Sequence, residues 1–147
     1  MATPKRILIA GGGIAGLTAA TALHQRGFAV DLVERNSEWR TVGAGIAVQP
    51  NGMRVLREIG LGAAVQHAGA IVRRLLYRDQ RGDVLCDSDL EALWGDVGPF
   101  VGIERGRLQE ALRSGAAGVS ARLGTWVTSL NQDDRGVRVE LSDGTTD

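Results

Sequence analysis

The chain opens its readable pattern with a continuous apolar run, Ile-Leu-Ile-Ala at residues 7–10. Such a run is the signature of a strand buried on both faces of a parallel sheet. A glycine turn follows, Gly11-Gly12-Gly13-Ile14-Ala15-Gly16. The period then changes. Leu17, Ala20, Leu23 and His24 recur at three-to-four spacing, with Ala19 and Ala22 as small packing residues, which predicts a helix. Gly27 stands where glycine is favoured just past a helix end. Residues 28–33 read as a second strand, and Glu34 closes it with a carboxylate. Strand, glycine turn, helix, strand and acid together predict a βαβ unit.

The pattern beyond Glu34 is less regular. Residues 35–42 are polar and read as a loop, and residues 43–48 as a turn and a short strand. Asn51 is the expected N-cap of a helix carrying Met53, Leu56 and Ile59 and ending at Gly60. A short helix is expected over residues 62–67. Residues 71–77 and 84–86 predict a hairpin around Gln80-Arg81-Gly82-Asp83. Residues 87–99 are acidic and loop-like. Residues 100–103 read as a strand, and residues 104–107 open a helix with Leu108, Ala111 and Leu112 on one face. Residues 119–123 predict a further parallel strand. Residues 126–130 and 137–141 predict an antiparallel pair, with a turn at Asp143-Gly144.

Composition narrows the function classes. The 147 residues suffice for one domain with a core, and 17 basic residues balance 17 acidic ones. No basic patch or aromatic platform points to nucleic acid. The single cysteine, Cys86, excludes an internal disulfide and fits a reducing cytoplasm; it reads as an ordinary strand residue. Pro4-Lys5-Arg6 leads directly into the first strand, without the apolar core of a signal peptide, and no apolar run suits a membrane span. His24 and His67 have no catalytic partner in the sequence. Asp87, Asp89, Glu91 and Asp96 lack metal-site spacing, so no metal is expected.

The chemistry concentrates in the glycine turn. Gly11 permits a tight exit from the strand, Gly13 a close approach of pyrophosphate to the backbone, and Gly16 close helix packing. The helix N-terminus turns free N–H groups toward an anion. Glu34 is placed to accept hydrogen bonds from a ribose diol and to repel a 2′-phosphate. A lone glycine motif is weak, but strand, helix and acid supply the context that confirms it. Arg35 fits the adenosine end of a dinucleotide. Arg40 fits a phosphate contact and a solvated surface charge equally. Arg105 at a helix N-terminus opposes the dipole, which hints at a bound anion.

These residues carry a resemblance. The chain resembles the N-terminal part of the single-component FAD-dependent aromatic monooxygenases, the class of para-hydroxybenzoate and salicylate hydroxylases. Four signatures occur in order: Gly11 to Gly16 ending in Glu34-Arg35; Gly43-Ala44-Gly45-Ile46 followed by Pro50-Asn51 and Leu56 to Gly60-Leu61; Arg105-Gly-Arg-Leu108 with Leu112; and Val137-Arg-Val-Glu-Leu-Ser-Asp-Gly144. The resemblance implies an α/β, Rossmann-like FAD-binding domain of glutathione-reductase type, with a βαβ core and added β-hairpins. It implies that Gly11, Gly13 and Gly16, with the amides of Ile14 and Ala15, hold the FAD pyrophosphate. Glu34 would take the adenosine ribose. Ala44 and Gly45 would lie beside the flavin, Arg105 would contact the ribityl-phosphate region, and Val127 would present backbone to the adenine.

The implied activity is NAD(P)H-dependent hydroxylation of an aromatic or related small molecule, with FAD as cofactor and NADH or NADPH as transient reductant. No residue reads as a catalytic acid or base. The family continues past this hairpin into a Gly-Ala-Asp-Gly stretch, a substrate domain and a second flavin-binding segment, none of which the sequence contains. Residues 1–147 are therefore expected to be a truncated FAD-binding domain without its substrate domain, inactive alone and open to self-association. A flavin halogenase or reductase of similar N-terminal architecture and an inactive nucleotide-binding fragment are the alternative readings.

Overall fold

The computed structural model describes residues 6–39, 43–134 and 136–146. Along the chain the elements are β1 (Arg6–Ala10), α1 (Ile14–Gln25), β2 (Ala29–Glu34), β3 (Gly45–Val48), α2 (Pro50–Glu58), α3 (Gly62–Ala68), β4 (Ala70–Ile71), β5 (Arg74–Arg78), β6 (Val84–Asp89), α4 (Leu90–Trp94), β7 (Val101–Glu104), α5 (Arg105–Gly115), β8 (Ser120–Leu123), β9 (Val127–Asp133) and β10 (Gly136–Leu141). The chain divides into two compact units, residues 1–40 with 112–147 and residues 41–111.

The first unit holds the predicted βαβ. β1 and β2 pair in parallel from Arg6↔Ala29 to Ala10↔Val33, and β2 pairs in parallel with β8 from Asp31↔Ser120 to Glu34↔Leu123. Parallel neighbours need a crossover, and α1 supplies it between β1 and β2. Its Leu17, Ala20 and Thr21 are buried, as are Val30, Leu32 and Val33 of β2. α1 closes with Gly27 in the left-handed region at φ +83. The Phe28 and Gly27 amides donate to the Leu23 and His24 carbonyls, the paired bonds of a Schellman ending. β9 and β10 form the expected antiparallel pair, from Gly136↔Asp133 to Leu141↔Val127.

In the second unit β7 is central, with β3 antiparallel on one side and β4 on the other. Met53, Leu56, Ile59, Val65, Val101, Ile103 and Leu108 are its buried apolar residues, together with Leu90. β5 and β6 form a separate hairpin.

The structure departs from three of the expectations. The strand expected over residues 71–77 is two strands. Ile71 pairs with Val101 in β4, while Arg74–Arg78 pair with β6. The acidic stretch expected as loop contains α4. The Asp89 side chain accepts from the Glu91 and Ala92 amides, which caps that helix, and its first residue, Leu90, is buried. Asn51 is not an N-cap, because α2 begins one residue earlier with Pro50 in its first turn. Proline suits that position, since its missing N–H would have had no helical acceptor there. The Asn51 carboxamide oxygen instead accepts from the neighbouring Gly52 amide.

Candidate functional site

The geometry of the first unit is set by the turn between β1 and α1. The Gly11 amide donates to the Val33 carbonyl at 2.7 Å, which ties the end of β1 to β2. Gly11 then takes φ +110, a conformation that side chains rarely adopt. Gly16 meets the turn from the helix side: a Cβ there would stand 1.9 Å from the Gly11 carbonyl oxygen. The helix sits this close only because the residue is glycine. Gly13 carries neither restriction: its φ of −77 is ordinary, and it lacks the crowding found at Gly16. Nothing lies within 4 Å of the position its Cβ would take, so its face is open.

Gly13 is the N-cap of α1 and offers no side-chain cap, and no acidic residue occupies the first turn. The first intrahelical bond runs from the Leu17 amide to the Gly13 carbonyl. The amides of Ile14, Ala15 and Gly16 therefore have no acceptor within the helix, and they carry the positive end of its dipole. This arrangement suits an anion.

Glu34 sits across the turn at the end of β2. Its Oε2 accepts the Gly12 amide at 2.7 Å, and its Oε1 accepts the Asn36 amide at 2.9 Å and the Asn36 side-chain amide at 2.5 Å. Burial pushes its pKa up. The bonds from the Asn36 amide, the Gly12 amide and the Asn36 side chain outweigh that, with help from the Arg35 charge, and hold it below the ordinary glutamate value. A carboxylate so held keeps its negative charge and retains lone-pair capacity for a hydroxyl donor. The Glu34 carbonyl accepts from the Thr125 amide, so the start of the segment leading to Val127 is fastened to the same residue. Arg35 itself is exposed.

In the second unit, β3 and β7 bring together the other expected positions. Gly45 pairs with Glu104, and the Arg105 amide donates to the Ala44 carbonyl at 3.3 Å. A Cβ on Gly43 would stand 2.9 Å from Cδ of Arg105, so the arginine stem lies along the glycine backbone. Arg105, Ala44 and Gly45 are all exposed. Arg40 and residues 4–5 lie outside the described residues.

A family model described as FAD binding domain matches residues 5–147. The chain belongs to the FAD binding domain family. It is 36% identical over 145 residues to the aurachin C monooxygenase/isomerase of Stigmatella aurantiaca, covering 98% of this chain and 38% of that protein. It is 34% identical over 143 residues to the FAD-dependent urate hydroxylase of Klebsiella pneumoniae, covering 96% of this chain and 37% of that protein. Among solved structures, Klebsiella pneumoniae HpxO complexed with FAD and uric acid is similar with a TM-score of 0.83 at 32% identity, over 97% of this chain and 36% of that one. A tetrameric form of 2-methyl-3-hydroxypyridine-5-carboxylic acid oxygenase gives a TM-score of 0.85 at 31% identity, over 99% of this chain and 37% of that one. The chain thus spans little more than a third of the length of these relatives.

This FAD binding domain also contains site residues that the sequence reading passed over. Gly12 occupies a place where the glycine pattern tolerates any residue, yet a Cβ there would stand 2.5 Å from the Trp39 ring and 3.3 Å from Cβ of Glu34. The run of three successive glycines was the available signal. The Arg113 guanidinium in turn lies 5.7 Å from the centroid of the Trp39 ring, within cation–π range. Asn36 had no signal of its own beyond following Glu34 by two residues. Among the described residues, no group of three or more His, Cys, Asp or Glu is gathered as a metal site would require. No helix of the FAD binding domain is long and apolar enough to cross a membrane, among the same residues.

Proposed function

We propose that this FAD binding domain, residues 1–147, is the cofactor-holding part of an NAD(P)H-dependent flavoprotein monooxygenase of the cytoplasm that hydroxylates an aromatic or related small molecule. The observation that carries the reading is the held Glu34 carboxylate beside an uncapped, glycine-lined helix N-terminus. Relatives whose names specify urate hydroxylation and monooxygenation support the reaction class.

The residues fit the group. Gly11, Gly13 and Gly16, with the Ile14 and Ala15 amides, take the pyrophosphate. Glu34 takes the adenosine ribose, with Arg35 beside it, and Val127 offers backbone to the adenine. Ala44 and Gly45 offer a surface free of bulky side chains to the flavin, and Arg105 takes an anionic or hydroxylated part of its tail. When bound, the flavin supplies the redox and oxygen chemistry, with NADH or NADPH as the transient reductant. This chain's side chains bind and orient; none is assigned as a catalytic acid or base.

Titration of the full chain with FAD, followed by flavin fluorescence, tests the assignment. Glu34→Gln and Arg105→Ala are each expected to weaken binding about tenfold, the scale of a lost charge-assisted hydrogen bond. Unchanged affinity in both variants would overturn it.

A further inference from the structure

We propose that Asn36 is the positioning residue of this site: it fixes the Glu34 carboxylate so that Oε2 is the oxygen left to accept a ribose hydroxyl, and it ties that acid to the turn leading into β9. The inference rests on the ribose reading of Glu34 given above.

A carboxylate oxygen has room for about two hydrogen bonds. Oε1 receives two, from the Asn36 amide at 2.9 Å and from Asn36 Nδ2 at 2.5 Å. Oε2 receives one, from the Gly12 amide at 2.7 Å. Oε1 is thus filled by one residue and Oε2 keeps a lone pair. The Asn36 side chain sets this asymmetry, because the main-chain donors alone would leave both oxygens with one bond each. A neutral amide is also the right chemistry here. A carboxylate at position 36 would offer no donor and would repel Glu34, whose charged neighbour is Arg35.

The main chain of Asn36 does a second task. Its carbonyl accepts the Gly124 amide at 2.9 Å, and the Glu34 carbonyl accepts the Thr125 amide at 3.0 Å. Gly124 turns with φ +66 between β8 and β9. The ribose acid and the strand carrying Val127 are therefore anchored to one dipeptide-spaced pair, Glu34 and Asn36.

Two readouts on the full chain test this. The first is the titration of the Glu34 side-chain carboxyl carbon by NMR without cofactor, in the wild type, Asn36→Ala and Asn36→Ser. The midpoint is expected to rise in Asn36→Ala and to return part-way in Asn36→Ser, whose hydroxyl restores a donor. Coincident midpoints in all three would overturn the proposal. The second is FAD affinity against pH. Asn36→Ala is expected to bind about three- to tenfold more weakly near neutral pH. Asn36→Asp is expected to bind more weakly still and to recover as the pH falls and one carboxyl of the pair takes a proton. Wild-type affinity in both Asn36 variants, alongside a loss in Glu34→Gln, would overturn the role of Asn36 and leave the ribose reading intact. Wild-type affinity in Glu34→Gln as well would remove the ribose reading with it.

Discussion

The parallel sheet of the first unit and the β5–β6 hairpin of the second are built from similar residues and live in opposite surroundings. Val30, Leu32 and Val33 on β2 are all buried, Leu32 with 1% of its surface exposed. Leu76, Tyr77, Val84 and Leu85 on the hairpin are all exposed, Leu85 at 69%. The difference is one of neighbours. β2 has a strand on each side, β1 and β8. The hairpin is a two-stranded sheet, and such a ribbon has too few neighbours to bury its own apolar side chains. Apolar composition thus marks a strand in both places but marks a core in only one.

Truncating one leucine in each region separates the two surroundings most strongly. Leu32→Ala is expected to destabilise the chain by about 2–5 kcal/mol, the range for emptying a packed site. Leu85→Ala is expected to stay within about 0.5 kcal/mol of the wild type. Urea unfolding of the two variants measures both, and similar losses would mean that the hairpin is covered after all. Next in size is Gly16→Ala, which forces a Cβ against the Gly11 carbonyl oxygen. A loss of about 1–3 kcal/mol is expected. Gly13→Ala serves as its control: the space there is open and φ is −77, so only the smaller cost of alanine at an N-cap is expected.

In the second unit, Asp89→Ala removes the cap of α4 and is expected to cost about 0.5–2 kcal/mol. Faster hydrogen exchange at the Glu91 and Ala92 amides would report it. The smallest effect is the pH dependence carried by Glu34. Its pKa is lower in the folded chain than its ordinary value of 4.5, so folding favours the ionised form. That stabilisation is complete above the ordinary value and is lost as pH falls through the folded one. Melting temperatures followed from neutral to acid pH are expected to fall less steeply in Glu34→Gln than in the wild type.

The fold was legible wherever the signal was local. The apolar run at residues 7–10, the three-to-four spacing after Gly16 and the acid at position 34 depend on residues close in sequence, and β1, α1 and β2 follow them closely. The split of residues 71–77 was not legible, because it depends on which distant strand each half finds: β7 for Ile71 and β6 for Arg74. α4 was hidden for a different reason. Aspartate is a favoured helix cap, but Asp89 stands among Asp87 and Glu91 in a stretch whose acidity reads as loop. The site divides in the same way. Gly11, Gly16 and Glu34 could be given structural reasons from spacing alone. The Asn36 bonds and the Trp39 ring over Gly12 require the chain after β2 to turn back on itself, and no periodicity encodes that.

The placement of Trp39 has an optical consequence. The chain has three tryptophans, and Trp94 and Trp126 are about half exposed, whereas Trp39 is more buried, against Gly12. Its emission is expected to lie to the blue of the other two and to resist quenching by iodide. The glycine turn therefore carries its own lamp, and a change in that one component reports events at the turn without any label being attached.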